Sequence, residues 1–328
     1  MDYWATDEAS RKFVAHLGCD SLDEALRRLH VDRPHTLSGR YVGPSLPADM
    51  DAFGIRYLDI PYETGTYREA VGYPLASYRS VRQIEANYTW PSPDWWDYSH
   101  IRKEVAGHAE QIIFGGKSEP FLTYCRLRGM EQAFIDLVDN PDIVHYCLDR
   151  MFELSYQEAL RIYEQAGPGN VHVTIVAEDM GSQTGLMFSP GQVREFLLPG
   201  MKRMIDLAHQ AGARVFHHND GAVREIIPMM IEAGIDILNP IQWRCAGMDR
   251  ERLKRDFGEQ VIFHGGVDNQ QTLPFGTVED VRREVIDNIR ILGAGGGYIL
   301  APCHNIQAVS PPENVVAMYE AGYEFGEC

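Results

Sequence analysis

The sequence predicts an α/β fold, a (β/α)8 barrel with an N-terminal helical and loop extension. Three observations point there. From Val171 onward, five short apolar runs each end in polar residues and lead into a stretch with apolar residues at helical spacing. The runs do not alternate in polarity, as befits strands buried on both faces. Polar residues close every run, which suits a barrel, where all strand ends meet on one face; a doubly wound sheet would collect them at a single switch point. A barrel takes about 250 residues and the chain has 328. The prediction is therefore an extension over 1–90, packed on a catalytic barrel over 91–328.

Thr6 to Leu17 and Ser21 to Leu29 read as two short helices, with Ser21 and Glu24 in capping-box spacing. Arg33 to Tyr78 turns to Gly, Pro and aromatic residues and reads as strands and long loops, a cover for the active-site end. Ser80 to Asn87 is a short helix, and Pro91-Ser-Pro-Asp-Trp-Trp is a rigid turn into a helix from Tyr98 to Ala109. Gln111 to Phe114 is a short strand closed by Gly115 and Gly116, and Arg128 to Val138 and Pro141 to Gln165 are helical.

The regular rhythm follows. Val171–Ala177 ends in Glu178-Asp179 and precedes a helix over Pro190–Gln210. Arg214–Phe216 ends in His217-His-Asn-Asp220, with a helix over Val223–Ala233. Ile235–Asn239 ends in Pro240-Ile-Gln242, with a helix after Met248. Val261–Phe263 ends in His264-Gly-Gly-Val-Asp268, with a helix over Val278–Leu292. Gly297–Leu300 ends in Ala301-Pro-Cys-His-Asn305, and a closing helix starts at Pro312.

Bulk properties narrow the class. The apolar fraction of 45% and charged fraction of 23% are those of an ordinary globular enzyme, and the formal charge of −17 argues against nucleic acid and anionic membrane surfaces. Six dispersed cysteines without a C-x-x-C pair indicate reduced thiols, and with no signal segment or long apolar run the expected location is the cytoplasm.

Five strand ends converging on one cavity would assemble several imidazoles, carboxylates and a thiol, the ligand types of divalent transition metals. His218 and Asp220 flank one residue, so one loop can grip one ion, with His304 or Cys303 arriving from another strand end. Asp179, Glu178, His217 and His264 are candidate acids and bases. Asn239, Gln242, Asp268 and Asn305 are candidate substrate contacts. The bland alternatives are that Asp179 caps its loop, that His264 bonds a backbone carbonyl, that Cys303 is a packed small residue, and that one of His217 and His218 faces the wall.

The run Val215-Phe-His-His-Asn-Asp-Gly, then Gly234-Ile-Asp-Ile-Leu-Asn-Pro-Ile-Gln242, then Gly265-Gly-Val-Asp268, then Ala301-Pro-Cys-His-Asn-Ile-Gln307 with Pro311-Pro-Glu-Asn314, resembles the uroporphyrinogen decarboxylase superfamily from about Asp94 to the C-terminal end. The resemblance implies a (β/α)8 barrel, a homodimer, and one of two chemistries. Porphyrinogen decarboxylases use no metal and carry an Arg-rich N-terminal motif, which Gly39-Arg-Tyr-Val-Gly-Pro-Ser does not match. Zinc-dependent methyltransferases carry His-x-Cys and a later Cys and exchange methyl groups with a corrinoid protein. Here the first pair matches as His218 and Asp220, and the later position falls on His304, with Cys303 beside it. This harder donor set suits oxygen substrates better than thiolate activation.

The expected function is a metal-dependent, corrinoid-linked methyltransferase acting on a small methylated compound. The alternatives are a decarboxylase or lyase of a small carboxylate and a non-catalytic ligand-binding barrel. Multiple titratable groups at strand ends favour an enzyme over the last of these.

Overall fold

Short β-branched runs form strands because their neighbours on both faces are apolar, and the amphipathic stretches between them form the covering helices. The computed structural model describes residues 1–62 and 65–326. Its main sheet has seven strands in sequential order: β1 (His35–Leu37), β2 (Ile113–Ser118), β3 (Val173–Val176), β4 (Arg214–His218), β5 (Ile237–Asn239), β6 (Ile262–Val267) and β7 (Tyr298–Pro302). The pairings β1–β2, β2–β3, β4–β5, β5–β6 and β6–β7 are all parallel. The fold is thus α/β of the barrel class, with seven sheet strands among the described residues where the sequence reading anticipated eight. No helix among the described residues is long and apolar enough to cross a membrane.

The chain divides into two compact units: Met1–Pro34, Asp179–Met187 and Phe216 onward form the first; His35–Glu178 and Phe188–Val215 form the second. The first 90 residues contribute to both. Composition concealed that His35–Leu37 is a strand of the main sheet, because three residues are too few to show a period.

In the first unit, helices Asp7–Leu17 and Leu22–Arg28 pack with Val278–Leu292 and Pro312–Phe325 around Phe13, Leu26, Val281, Val285, Met318 and Tyr319. Thr6 caps the first helix through the Ala9 N–H, and Gly18, at φ 63°, closes it. The Ser21 hydroxyl accepts from Glu24 N–H as expected, but the Glu24 carboxylate reaches Asp20 N–H rather than Ser21.

In the second unit, the helix expected from Arg128 is preceded by another, Pro120–Arg128, with Gly129 between them. The helix expected from Pro190 to Gln210 is interrupted by a π turn at Val193–Leu197. Pro199 has no N–H to give to the Glu195 carbonyl, so the regular ladder cannot run through it.

Candidate functional site

Two glycines bring the key loops of the first unit together. Gly221 has φ 91°, and a Cβ there would lie 2.5 Å from the Gly181 carbonyl carbon; a Cβ on Gly181 would lie 2.5 Å from the Asp220 carbonyl oxygen. Only glycine permits that approach. It sets Asp179 beside Asp220, whose N–H donates to Asp179 Oδ1 at 3.2 Å. The Gly221 N–H donates to Gln242 Oε1 at 2.8 Å, tying the loop after β5 to the same point.

His218, the last residue of β4, faces these carboxylates. Its Nε2 lies 3.7 Å from Asp179 Oδ1 and 4.0 Å from Asp220 Oδ1. His304, after β7, comes within 5.9 Å of the His218 ring centroid. His218, Asp220 and His304 each offer one ligand atom, and these atoms all lie within 4.8 Å of one another.

The donor chemistry of the two histidines fits a metal. His218 Nδ1 is 2.6 Å from Asn239 Oδ1, and His304 Nδ1 bonds Asn305 Oδ1. A carboxamide oxygen only accepts, so each Nδ1 carries the proton and each Nε2 keeps its lone pair for a ligand. Tetrahedral bonds of 2.0–2.1 Å would bring neighbouring donors to about 3.3 Å, a contraction within reach of side-chain adjustment.

A buried polar chain stands behind His218. Asn239 Nδ2 donates to His264 Nδ1 at 2.8 Å, and His264 Nε2 donates to Asp2 Oδ2 at 3.0 Å. Burial raises the Asp2 carboxyl, but His264 and the Tyr3 N–H together hold it below its ordinary value. The segment that carries Asp2 is held by Asp2 N–H to Leu300 O, Thr6 N–H to Ile306 O and Ile306 N–H to Trp4 O. It lays Trp4 against the site, its ring centroid 4.4 Å from His304 and 5.8 Å from His218.

The other sequence candidates take different places. Glu178, read as a catalytic acid or base, belongs to the second unit, is 2% exposed, and accepts from Phe121 N–H at 2.7 Å. It caps helix Pro120–Arg128, where unpaired N–H groups and the helix dipole attract a carboxylate. His217 is fully buried beside Asn219, and His264 is enclosed in the chain just described, so neither stands where a substrate would contact it. Asn239 serves His218 and His264. Asp268, read as a substrate contact, accepts from the N–H groups of Gln270, Gln271 and Thr272 and from Arg244 Nε at 2.7 Å; its oxygens are occupied in forming that turn. Cys303 donates to the Ile241 carbonyl, and burial pushes its thiol well above the ordinary range, so it is the packed residue and His304 the ligand candidate. Cys19, Cys125, Cys147, Cys245 and Cys303 are free thiols; Cys328 lies outside the described residues.

Sequence reasoning missed Asp2, Trp4 and Arg244. Asp2 and His264 are separated by 262 positions, and nothing local in Met1-Asp-Tyr-Trp signals a contact across the chain.

Fold and site together define a class: α/β barrel proteins whose polar groups gather at the C-terminal ends of parallel strands, here with imidazole and carboxylate donors. The chain matches the family Uroporphyrinogen decarboxylase (URO-D) over residues 98–325, and it belongs to that family. It is 26% identical over 346 residues to a uroporphyrinogen decarboxylase of Pseudoalteromonas translucida, covering 99% of this chain and 89% of that one. A uroporphyrinogen decarboxylase of Psychromonas ingrahamii is 25% identical over 234 residues, covering 68% of this chain and 61% of its own. Among solved structures, a methyltransferase from Methanosarcina mazei superposes with a TM-score of 0.66 at 20% identity, over 93% of this chain and 84% of that one, and shares the fold.

Proposed function

We propose that this protein is a metal-dependent methyltransferase that moves a methyl group between a small methylated compound and a corrinoid carried by a partner protein, acting as a cytoplasmic homodimer. The observation that carries the reading is the donor set: His218, Asp220 and His304 within 4.8 Å, drawn from two strand ends, with both imidazoles oriented by amide oxygens. These three residues hold the ion, zinc being the first choice for imidazole and oxygen donors. Bound there, it supplies Lewis acidity at the substrate atom from which the methyl group departs.

The chain's own groups do the rest. Asp179 is 35% exposed and close to His218, placed to hold the proton that the departing atom takes up when its bond to the methyl carbon breaks. Gln242 has its Oε1 engaged with Gly221, which leaves its Nε2 to orient a polar substrate group. Trp4, 44% exposed, walls the site beside both imidazoles and limits what enters.

One observation favours a second reading, a decarboxylase or lyase of a small carboxylate: the curated relatives bear the name uroporphyrinogen decarboxylase. In that case Asp179, beside His218 and Asp220, would serve as the general acid. Elemental analysis of tag-free protein separates the two. Near-stoichiometric metal, lost in His218→Ala and in His304→Ala, is the expected result. A protein that binds no divalent ion, or one that decarboxylates at full rate after exhaustive chelation, would overturn the methyltransferase reading.

A further inference from the structure

The second unit contains a cavity of about 260 Å³ between the ends of β1 and β2, the Trp96–Tyr98 segment and helix Pro141–Ala166. Leu37, Trp96, Phe114, Ile162 and Ile175 give it apolar walls. Two polar side chains among its lining residues have no hydrogen-bond partner among the described residues. Tyr98 is 6% exposed, and its hydroxyl, fully buried, makes no hydrogen bond among the described residues. A Cβ on Gly39 would sit 2.8 Å from the Tyr98 ring and 2.7 Å from Trp96 Cβ, so the ring is held tightly and cannot swing its hydroxyl out to water. A buried hydroxyl without a partner is unfavourable, because it gives up its bonds to water and gains none in return, which points to a ligand that satisfies it.

Glu158 is the second group. It lines the same cavity and makes no hydrogen bond or ion pair among the described residues. The nearby cations are engaged elsewhere: Arg161 with Pro93 O at 2.8 Å and Asp94 at 2.6 Å, Lys117 with Glu119 at 2.9 Å. Burial raises the Glu158 carboxyl to about 7 in spite of Arg161, as expected of an acid in an apolar wall that lacks a direct counter-ion.

We propose that this cavity is a binding site for a small organic ammonium, with the Glu158 carboxylate as its counter-ion, the Tyr98 hydroxyl as its second polar contact, and the apolar walls enclosing its hydrocarbon part. The volume limits the ligand to a few carbon atoms around one cationic nitrogen. An anion is excluded by the carboxylate, and a neutral alcohol would forgo the charge pairing. The cavity lies in the second unit and the metal ligands in the first.

The test uses the full-length protein at pH 8, where Glu158 is ionised, with n-butylammonium, n-butanol and butyrate as probes in calorimetric titrations. Butylammonium binds saturably, at least tenfold more tightly than butanol, a margin of about 1.4 kcal/mol, and butyrate does not bind. Glu158→Gln, a neutral isostere, weakens butylammonium at least tenfold, Tyr98→Phe weakens it by a smaller factor, and His218→Ala leaves it unchanged. Equal binding of butanol and butylammonium would reduce the cavity to an apolar hole and overturn the proposal. So would unchanged affinity in Glu158→Gln, or no saturable binding of butylammonium to the wild type, which would leave the two polar groups to water. If Glu158→Gln fails to fold, the charged and neutral probes on wild type and Tyr98→Phe decide alone.

Discussion

Asn239 and Asn305 are the residues on which the candidate metal site most depends without their touching an ion. Each fixes the tautomer of one imidazole by accepting its Nδ1 proton. Without that acceptor the ring can rotate or protonate at Nε2 and cease to be a ligand, a loss that costs about 10–100-fold in metal affinity. Asn239→Leu and Asn305→Leu should therefore each raise the zinc dissociation constant by about that factor, read by competition with a chromophoric chelator, while circular dichroism stays that of the wild type. Equal zinc affinity in both variants would mean that the imidazoles do not bind through Nε2. Asp2 acts one step further out, through His264 and Asn239, and a smaller effect follows from Asp2→Asn.

Helices Pro120–Arg128 and Met130–Asp139 show what holds an element in place when its own sequence is undistinguished. Arg128 and Asp136 are both wholly buried, their side chains 0% exposed and paired at 2.6 Å. Arg128 also donates to the Leu75 and Tyr78 carbonyls, and Tyr124, Gln132 and Asn140 donate to Asp136. A buried pair survives the loss of water only when its remaining hydrogen-bond capacity is filled, as here, and removing one partner strands a charge. Arg128→Met should destabilise the protein by about 3–5 kcal/mol, and the double variant Arg128→Met with Asp136→Leu should recover most of that loss in denaturant titrations. Burial pushes the Asp136 carboxyl up, but Arg128, Tyr124 and Gln132 together hold it below its ordinary value. Its stabilisation is thus fully present above the unfolded carboxylate pKa of about 3.9 and is lost as pH falls through the lower folded value. Below about pH 4 the wild type should lose stability more steeply than the double variant; parallel acid-unfolding curves would count against the pair.

At the scale of the whole molecule, a metal held at the proposed site would be linked to folding. An ion held by His218, Asp220 and His304 binds the folded chain, whose β4 and β7 ends bring the ligands together, and binds the unfolded chain far less. At a free concentration a hundredfold above its dissociation constant it adds about 2.7 kcal/mol to stability. Chelation should then lower the thermal midpoint of the wild type and leave that of His218→Ala unmoved, and zinc should restore only the wild type. An identical midpoint with and without chelator would count against a metal bound by these residues.

The sequence by itself determined the fold class, because apolar runs alternate with amphipathic stretches from Val171 onward and polar residues close every run, which a barrel explains better than a doubly wound sheet. It also determined the ligand candidates: His218 and Asp220 are local to one strand end, and His304 follows from the matching position on another. The tertiary structure decided which polar residues remain available. Glu178 looks catalytic in the sequence and Asp268 looks like a substrate contact, yet their oxygens are taken by backbone N–H groups of helix and turn ends, and which N–H groups stand nearby is a property of the folded chain. It likewise decided that Asp2 and Trp4 belong beside the site. A contact spanning 262 positions leaves no periodicity or spacing for sequence reading to find, because only the folding of the chain brings Asp2 and His264 within hydrogen-bonding distance.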